Sequence, residues 1–223
     1  PGTKKVIYGK LRGSIKKPLV VFIHGMTANM DHHLFFNGAR VFEKKGFSSF
    51  RFNLYEGRDD ARDLGEVSLK ENVIDIQIVL TWLKRQGAKK IFVVGHSYAG
   101  PAILLIKPNV AGVVLWDPAN LKYKPHTNYI FDKRINRYVR KDGRTMLLHP
   151  RFITEENKVH WDTLAQIPSP LLVVSAGAAT RMVAGARAYF ATANDPKTFV
   201  SIPGADHSFH RDGMEEKLFA VTL

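Results

Sequence analysis

Short runs of apolar residues, many of them β-branched or aromatic, recur along the chain between amphipathic or polar segments. A nearly continuous apolar run is typical of a strand buried on both faces, as in a parallel sheet. The runs lie at 18–23, 47–53, 91–94, 110–116, 171–175 and 198–202, and a further short strand is predicted at 4–11.

The segments between these runs have helical spacing. In 68–85 the apolar side chains share one face of a helix. They are Val73, Ile76, Val79, Leu80 and Leu83. Helices are also predicted at 34–45, 101–106 and 182–193.

The alternation of strands and helices predicts an α/β fold, a doubly wound and mostly parallel sheet of about seven strands with helices on both faces. A length of 223 residues suits a single domain, 1–223. The basic segment at roughly 121–166 interrupts the alternation, and we expect it to form a short helical cap over the site. Its scattered aromatic residues favour this interpretation: Tyr123, Tyr129, Phe131, Tyr138, Phe152 and Trp161.

Composition excludes several classes of protein. The chain has no cysteine, so it has no disulfide scaffold, thiol nucleophile or thiolate metal site. No apolar run approaches the ~20 residues of a membrane-spanning helix, and the N-terminal residues lack the apolar stretch of a signal peptide. We therefore expect a soluble, cytoplasmic protein without a membrane partner.

The formal charge of +13 is concentrated in one segment. Residues 121–151 contain nine lysines and arginines against two aspartates. A solvated surface is the simplest interpretation; attraction of anionic substrates and weak nonspecific nucleic-acid binding are the others. No motif for specific nucleic-acid binding accompanies the charge.

The segment 91–100 combines a strand, a tight turn and the start of a helix. Four apolar residues lead into Gly-His-Ser-Tyr-Ala-Gly at 95–100. A strand that passes through a Gly-x-Ser-x-small turn into a helix is a nucleophile elbow, which exposes the serine hydroxyl at the carboxyl end of the sheet. Ser97 is therefore the candidate nucleophile.

Three motifs, in this order and spacing, resemble the α/β-hydrolase fold, and most closely its small serine esterase and aminopeptidase-like branch. They are His24-Gly25 after an early strand, the elbow at 95–100, and Gly-Ala-Asp-His-Ser-Phe at 204–209 after the last strand. The resemblance covers essentially the whole chain. It implies Ser97 as nucleophile, His207 as base, and the backbone N–H groups of Met26 and Tyr98 as an oxyanion hole. The antiparallel strand or two with which the family usually begins is missing or shortened here.

Physical chemistry supports these assignments independently. A serine hydroxyl needs a base within hydrogen-bond reach, and the ordinary histidine pKa of about 6.5 suits that task near neutral pH. A loop at the carboxyl end of a strand can bring His207 beside Ser97. Loops after adjacent strands can also supply the two donors that a tetrahedral oxyanion requires.

The acid that completes a triad is ambiguous. The family usually carries it in a Gly-x-x-Asp pattern after the penultimate strand, but here threonine stands at that position, Thr180. Either Asp117, in the turn after the preceding strand, serves instead, or the triad is incomplete. Asp206 is discounted because side chains adjacent in a loop seldom align for this contact.

The remaining histidines have structural interpretations. We expect His96 to pack away from the serine hydroxyl and His24 to order its own loop. His32 and His33 have no carboxylate or cysteine partner at ligand spacing, so we predict no metal and no cofactor.

The sequence thus predicts a serine hydrolase that cleaves carboxyl esters, or amides, of a small-molecule substrate through an acyl-enzyme. The alternative is a noncatalytic hydrolase-fold binding protein, which Thr180 favours. A basic nucleic-acid-binding module is the third interpretation. Substrate identity and oligomeric state stay open.

Overall fold

The computed structural model describes residues 5–120, 129–141, 147–156, 158–178 and 180–223. Its strands are, in chain order, β1 (Gly9–Arg12), β2 (Leu19–Ile23), β3 (Ser48–Phe52), β4 (Ile91–His96), β5 (Gly112–Trp116), β6 (Tyr129–Asp132), β7 (Arg137–Arg140), β8 (Leu147–Leu148), β9 (Leu171–Ala176) and β10 (Lys197–Ile202). Its α-helices are α1 (His33–Lys44), α2 (Leu69–Arg85), α3 (Ala99–Ile106), α4 (Pro150–Glu156), α5 (Thr180–Thr192) and α6 (Met214–Thr222).

Seven of these strands form one sheet in the order β1-β3-β2-β4-β5-β9-β10. Every neighbouring pair is parallel except β1 and β3, which are antiparallel. The predicted fold class, a mostly parallel sheet of about seven strands, is confirmed. The initial antiparallel strand is present but short, with four residues.

Helices cover both faces of the sheet. One core lies between the sheet and α2, α3 and α5, and the other lies between the sheet and α1 and α6. Within β2, Leu19, Val21 and Ile23 belong to the first core. The intervening Val20 and Phe22 belong to the second. This two-sided burial is the reason that the strands have continuous apolar sequences rather than alternating ones. Within the described ranges, no helix is both long and apolar enough to cross a membrane.

The prediction of a short helical cap at 121–166 is wrong for the part of the segment that contains β6, β7 and β8. The described part of this segment forms a three-stranded antiparallel sheet, β6-β7-β8, followed by α4 and a 3₁₀ turn at Trp161–Thr163. The aromatic residues that suggested helices lie mostly in strands, where aromatic and β-branched side chains pack well on a pleated surface. Phe131 on β6 pairs directly with Tyr138 on β7.

The basic segment of the cap forms ion pairs in its described part. Arg134 contacts the carboxylate of Asp132 at 2.8 Å, and Arg151 contacts Glu71 of α2 at 3.4 Å. Both arginines are at least half exposed, so these pairs contribute little to stability. Among the lysines, arginines and tyrosines of this segment, four lie outside the described residues: Lys122, Tyr123, Lys124 and Arg144.

Two buried histidines organise the carboxyl edge of the main sheet. His24, directly after β2, donates from Nδ1 to the Gly25 carbonyl at 2.8 Å and accepts at Nε2 from the Leu54 N–H at 3.0 Å. His96, at the end of β4, donates from Nε2 to the His207 carbonyl at 2.8 Å. The first therefore orders its loop, as predicted. The second is buried, as predicted, and also holds the loop after β10.

Burial keeps both histidines neutral at physiological pH. Desolvation of the charged form lowers the pKa of His24 to about 4. Desolvation, with repulsion from His207, lowers the pKa of His96 to about 3. The unfolded chain binds protons at these positions below pH ~6.5, whereas the folded chain does not, so stability is lost as pH falls through 6.5.

We expect the free energy of unfolding to fall by about 2–3 kcal/mol between pH 7 and pH 5.5 because of these two histidines, since each contributes about 1.4 kcal/mol per pH unit once the unfolded form is protonated. Urea unfolding at several pH values measures this. His96→Gln should lessen the fall by about 1–1.5 kcal/mol, and His160→Gln, at an exposed position, should leave it unchanged. His32, whose pKa burial also lowers to about 4, adds a similar fall to all three proteins. A profile that is flat over this range, or equal in all three proteins, would contradict the linkage.

Candidate active site

A sharp turn between β4 and α3 presents Ser97. The Ser97 backbone is left-handed, with φ of 55°, which is an unusual conformation for a non-glycine residue. Backbone hydrogen bonds, two of them to the end of β5 and the loop after it, hold the turn. The Ser97 N–H donates to the Trp116 carbonyl, and the Ser97 carbonyl accepts from the N–H groups of Gly100 and Ala119, each at 3.0 Å. The predicted strand–turn–helix geometry of the elbow is therefore present.

Small residues make the turn possible. A Cβ atom at Gly95 would collide with Ile103 of α3, and Ala99 lies fully buried beside it. A Cβ atom at Gly25 would lie 2.8 Å from the Cβ of Ser97. Gly25 is required because its backbone lies close to Ser97 and to the His96 carbonyl, and Gly95 leaves room for the end of the Ile103 side chain.

Three predicted residues meet at the carboxyl edge of the sheet. The Oγ of Ser97 lies 2.9 Å from Nε2 of His207, and Nδ1 of His207 lies 2.5 Å from Oδ2 of Asp117. Asp117 directly follows β5, is fully buried, and accepts at Oδ1 from the Ala176 N–H at 2.9 Å. The carboxylate is thus oriented by the neighbouring strand while it holds the imidazole.

In the structure, one of the candidate acids that the sequence left open contacts the imidazole. Asp117 occupies the hydrogen-bonding position on Nδ1 of His207, whereas Thr180 is the first residue of α5. Asp206 instead accepts from the backbone N–H of His210 at 2.9 Å, in agreement with its being discounted.

Hydrogen bonding assigns the tautomer of His207. A buried carboxylate accepts from Nδ1–H, which leaves the Nε2 lone pair facing the Ser97 hydroxyl. The His207 side chain is about one-third exposed, at 34%. The group that faces the serine is therefore accessible from solvent while its partner carboxylate is not.

His96 supports the loop that carries His207 more directly than sequence reasoning indicated. In addition to the hydrogen bond to the His207 carbonyl, the two rings pack with their centroids 4.8 Å apart. In the sequence, His96 is recognisable only as a residue of the tight turn between a strand and a helix. No signal in the sequence relates His96 to a segment more than a hundred positions away.

The loop after β2 lies against Ser97 through Gly25. The Gly25 carbonyl accepts from Nδ1 of His24 at 2.8 Å and from the hydroxyl of Tyr55 at 3.3 Å. Because C=O and N–H point in opposite directions across a trans peptide, these two donors also orient the N–H of Met26. Tyr55 was missed by sequence reasoning, and burial raises its pKa, so its hydroxyl remains a donor.

An enclosed cleft of about 10 Å³ lies beside the elbow. Met26, Tyr55, Tyr98 and Phe152 contribute to its walls. Phe152, from α4 of the cap, stacks on the Tyr98 ring with centroids 4.7 Å apart. The cap therefore contacts the residue next to the serine. A much larger cavity of about 1000 Å³ lies between β1, α2 and the cap, and Ser97, His207 and Asp117 do not line it.

The structure also gathers histidines that the sequence separates. His210 lies near His32 and His33, and one ring nitrogen of each falls within 4.8 Å of the others. The prediction of no metal considered only neighbours in sequence.

Comparison with known proteins gives the family. Residues 20–221 match the family model described as the alpha/beta hydrolase family. Over 124 residues, 53% of this chain, the sequence is 27% identical to a Mycoplasma pneumoniae protein named as a candidate esterase/lipase. The match spans only 42% of that relative's length.

Solved structures show the same fold. Est1E from Butyrivibrio proteoclasticus with ferulic acid bound has a TM-score of 0.77, covering 96% of this chain and 92% of that chain at 16% identity. The monoacylglycerol lipase of Paleococcus ferrophilus has a TM-score of 0.69, covering 97% and 96% at 16% identity. Because the family model spans nearly the whole chain, the chain belongs to the α/β-hydrolase family.

Proposed function

We propose that this protein is a serine hydrolase that cleaves carboxyl esters, or amides, of small molecules through an acyl-enzyme on Ser97. The observation that carries the proposal is the continuous hydrogen-bond chain from the Ser97 hydroxyl through His207 to Asp117. Ser97 offers a hydroxyl, His207 offers the Nε2 lone pair, and Asp117 offers a carboxylate to Nδ1, which are the groups that nucleophilic catalysis requires.

In the acylation step, Oγ of Ser97 attacks the substrate carbonyl carbon while its proton passes to Nε2 of His207. The imidazolium that forms is stabilised by the Asp117 carboxylate, which is buried and held by the Ala176 N–H. Collapse of the tetrahedral intermediate breaks the ester or amide bond, and His207 returns the proton to the leaving group. Water then repeats the sequence on the acyl-enzyme, with His207 again as base.

The N–H groups of Met26 and Tyr98 are the proposed oxyanion hole. Tyr98 follows the nucleophile at the amino end of α3, where helix N–H groups and dipole favour negative charge. The orientation of the Met26 N–H by the hydrogen bonds on the Gly25 carbonyl supports the second donor. Donors that are held before the reaction begins stabilise the oxyanion without reorganisation.

The alternative, a noncatalytic binding protein, rested on the missing acid at Thr180. The carboxylate of Asp117 on His207 supports the enzyme over that alternative. The third interpretation, a nucleic-acid-binding module, has only the basic cap in its favour, and Arg134 and Arg151 of that cap pair with carboxylates.

The cleft beside Tyr98 favours a short acyl group. Its volume of about 10 Å³ is far smaller than a long acyl chain, and the Phe152 ring closes it. The cleft has space for about one water molecule, so an acyl chain cannot extend into it unless Phe152 moves. We therefore propose that Phe152 limits the length of the acyl group and that short acyl groups are cleaved in preference to long ones.

Ser97→Ala should abolish hydrolysis of short p-nitrophenyl esters and labelling by a fluorophosphonate probe, with the fold intact, because an elbow hydroxyl contributes little packing. Mass spectrometry of the labelled peptide and circular dichroism measure both effects. The matched control is Ser201→Ala, at an exposed position on β10, which should behave as the wild type. Undiminished turnover by Ser97→Ala would exclude the mechanism.

Asp117→Asn should reduce kcat by roughly 10⁴-fold, since the amide neither stabilises an imidazolium nor selects the required tautomer. Thr180→Asp should leave kcat nearly unchanged or lower it. Asp206→Asn is the control for a general effect of removing a carboxylate near His207, and it should keep kcat within about tenfold. A large gain in Thr180→Asp together with an active Asp117→Asn would assign the acid position to 180.

Phe152→Ala should enlarge the cleft and raise the ratio of kcat/KM for octanoyl over acetyl p-nitrophenyl esters by about tenfold or more, because each added methylene in an apolar pocket has an effect of about 1–3 kcal/mol. Phe131→Ala removes an exposed cap aromatic and should leave the ratio unchanged. An unchanged ratio in Phe152→Ala would show that the acyl group binds elsewhere.

A further inference from the structure

Three histidines converge on the face of the sheet covered by α1 and α6. His32 precedes α1, His33 is its first residue, and His210 lies in the loop before α6. The ring centroids of His33 and His210 are 4.3 Å apart, those of His32 and His33 are 4.4 Å apart, and those of His32 and His210 are 5.9 Å apart. One ring nitrogen of each lies within 4.8 Å of the others.

A carboxylate orients the central imidazole. Nδ1 of His33 lies 2.8 Å from Oε1 of Glu215, whose other oxygen accepts from the Asn37 amide at 2.8 Å. The proton of His33 therefore lies on Nδ1, and Nε2 carries the lone pair that a metal ion can bind. A carboxylate behind the far nitrogen of a histidine is the arrangement that fixes and strengthens metal-binding imidazoles.

Two ring nitrogens in the cluster lack hydrogen-bond partners. Nε2 of His33 and Nδ1 of His32 are both inaccessible to solvent, and neither has a partner among the residues that the structure describes. Leaving buried polar atoms without partners costs free energy, so each such atom requires an explanation. A shared cation would satisfy both.

We propose that His32, His33 and His210 bind a divalent transition-metal ion of the Zn²⁺ type, with Glu215 as the positioning carboxylate of His33. Three neutral imidazoles suit zinc and its late first-row neighbours rather than Mg²⁺ or Ca²⁺, which prefer oxygen. A tetrahedral ion at about 2.0–2.1 Å from each nitrogen requires the nitrogens to be roughly 3.4 Å apart. The nitrogens, which lie within 4.8 Å of one another, must therefore approach by up to about 1.4 Å, which the exposed His210 side chain permits.

An open groove gives an ion access to this site. It has a volume of about 380 Å³ and is lined by His33 and His210 together with acidic side chains, among them Asp212 and Glu216. The only arginine of its lining, Arg211, donates to the Gly204 carbonyl at 2.7 Å. The acidic side chains favour approach of a cation.

The metal would join two segments that are distant in sequence. His210 is three residues after His207, so an ion on the three histidines would attach the loop of the proposed base to the start of α1. The proposed ion has a structural role: it would hold these two segments together beside Ser97, His207 and Asp117. The site does not depend on the proposed hydrolase activity.

Isothermal titration of the chelator-treated full chain with Zn²⁺ alone tests the site, with the absorption spectrum of bound Co²⁺ as a second readout. We expect one ion per chain. His33→Ala and His210→Ala should each weaken binding about a hundredfold or more, and Glu215→Gln about 10–100-fold. His160→Ala, an exposed histidine outside the cluster, should bind as the wild type does.

Because the His210 side chain is exposed, we expect His210→Ala to fold as the wild type does, and circular dichroism verifies this. Zn²⁺ should raise the Tm of the wild type and not that of His210→Ala, because a ligand stabilises only the state that binds it. Absence of binding to the wild type would overturn the proposal. So would binding that survives in both His33→Ala and His210→Ala but is lost in His207→Ala, which would place the ion on the triad.

Discussion

The burial of a parallel sheet on both faces is the constraint on which this structure depends. Parallel strands require crossover helices, so β2, β4, β5, β9 and β10 all run in one direction and end at the same edge. Every group of the proposed site follows one of these ends: the Gly25 loop, the Ser97 elbow, Asp117 and His207. The chemistry can therefore be assembled from short loops on a rigid frame, and the helices on the two faces leave that edge free.

Within that frame, the Asp117 carboxylate joins elements that would otherwise be independent. One oxygen accepts from Ala176 at the end of β9, and the other contacts His207 in the loop after β10. His96 holds the same loop through its backbone carbonyl. The imidazole is thus fixed from both sides. Its exposed edge remains accessible, and this combination of preorganisation and access is what the proposed general base needs.

The cap and the histidine cluster are two features that local sequence patterns did not predict. The scattered aromatic residues of the cap were compatible with helices, but β6 and β7 pair and pack against each other in a sheet. Strand preference depends on neighbouring strands that the sequence does not reveal. Likewise, His32 and His33 had no ligand partner nearby in sequence. Their partners, His210 and Glu215, come from the last part of the chain.

Periodicity and motif chemistry determined from the sequence alone that the chain forms a doubly wound sheet, that Ser97 stands on an elbow, and that His207 follows the last strand. These features are local: apolar runs, small residues at a sharp turn, and a histidine within a short motif. The tertiary structure decided that Asp117 rather than Thr180 holds the imidazole, that His96 and Tyr55 support the loops of the site, and that three histidines meet. The physical reason is that contacts between loops from different strands depend on strand order and register, which no single segment of sequence encodes.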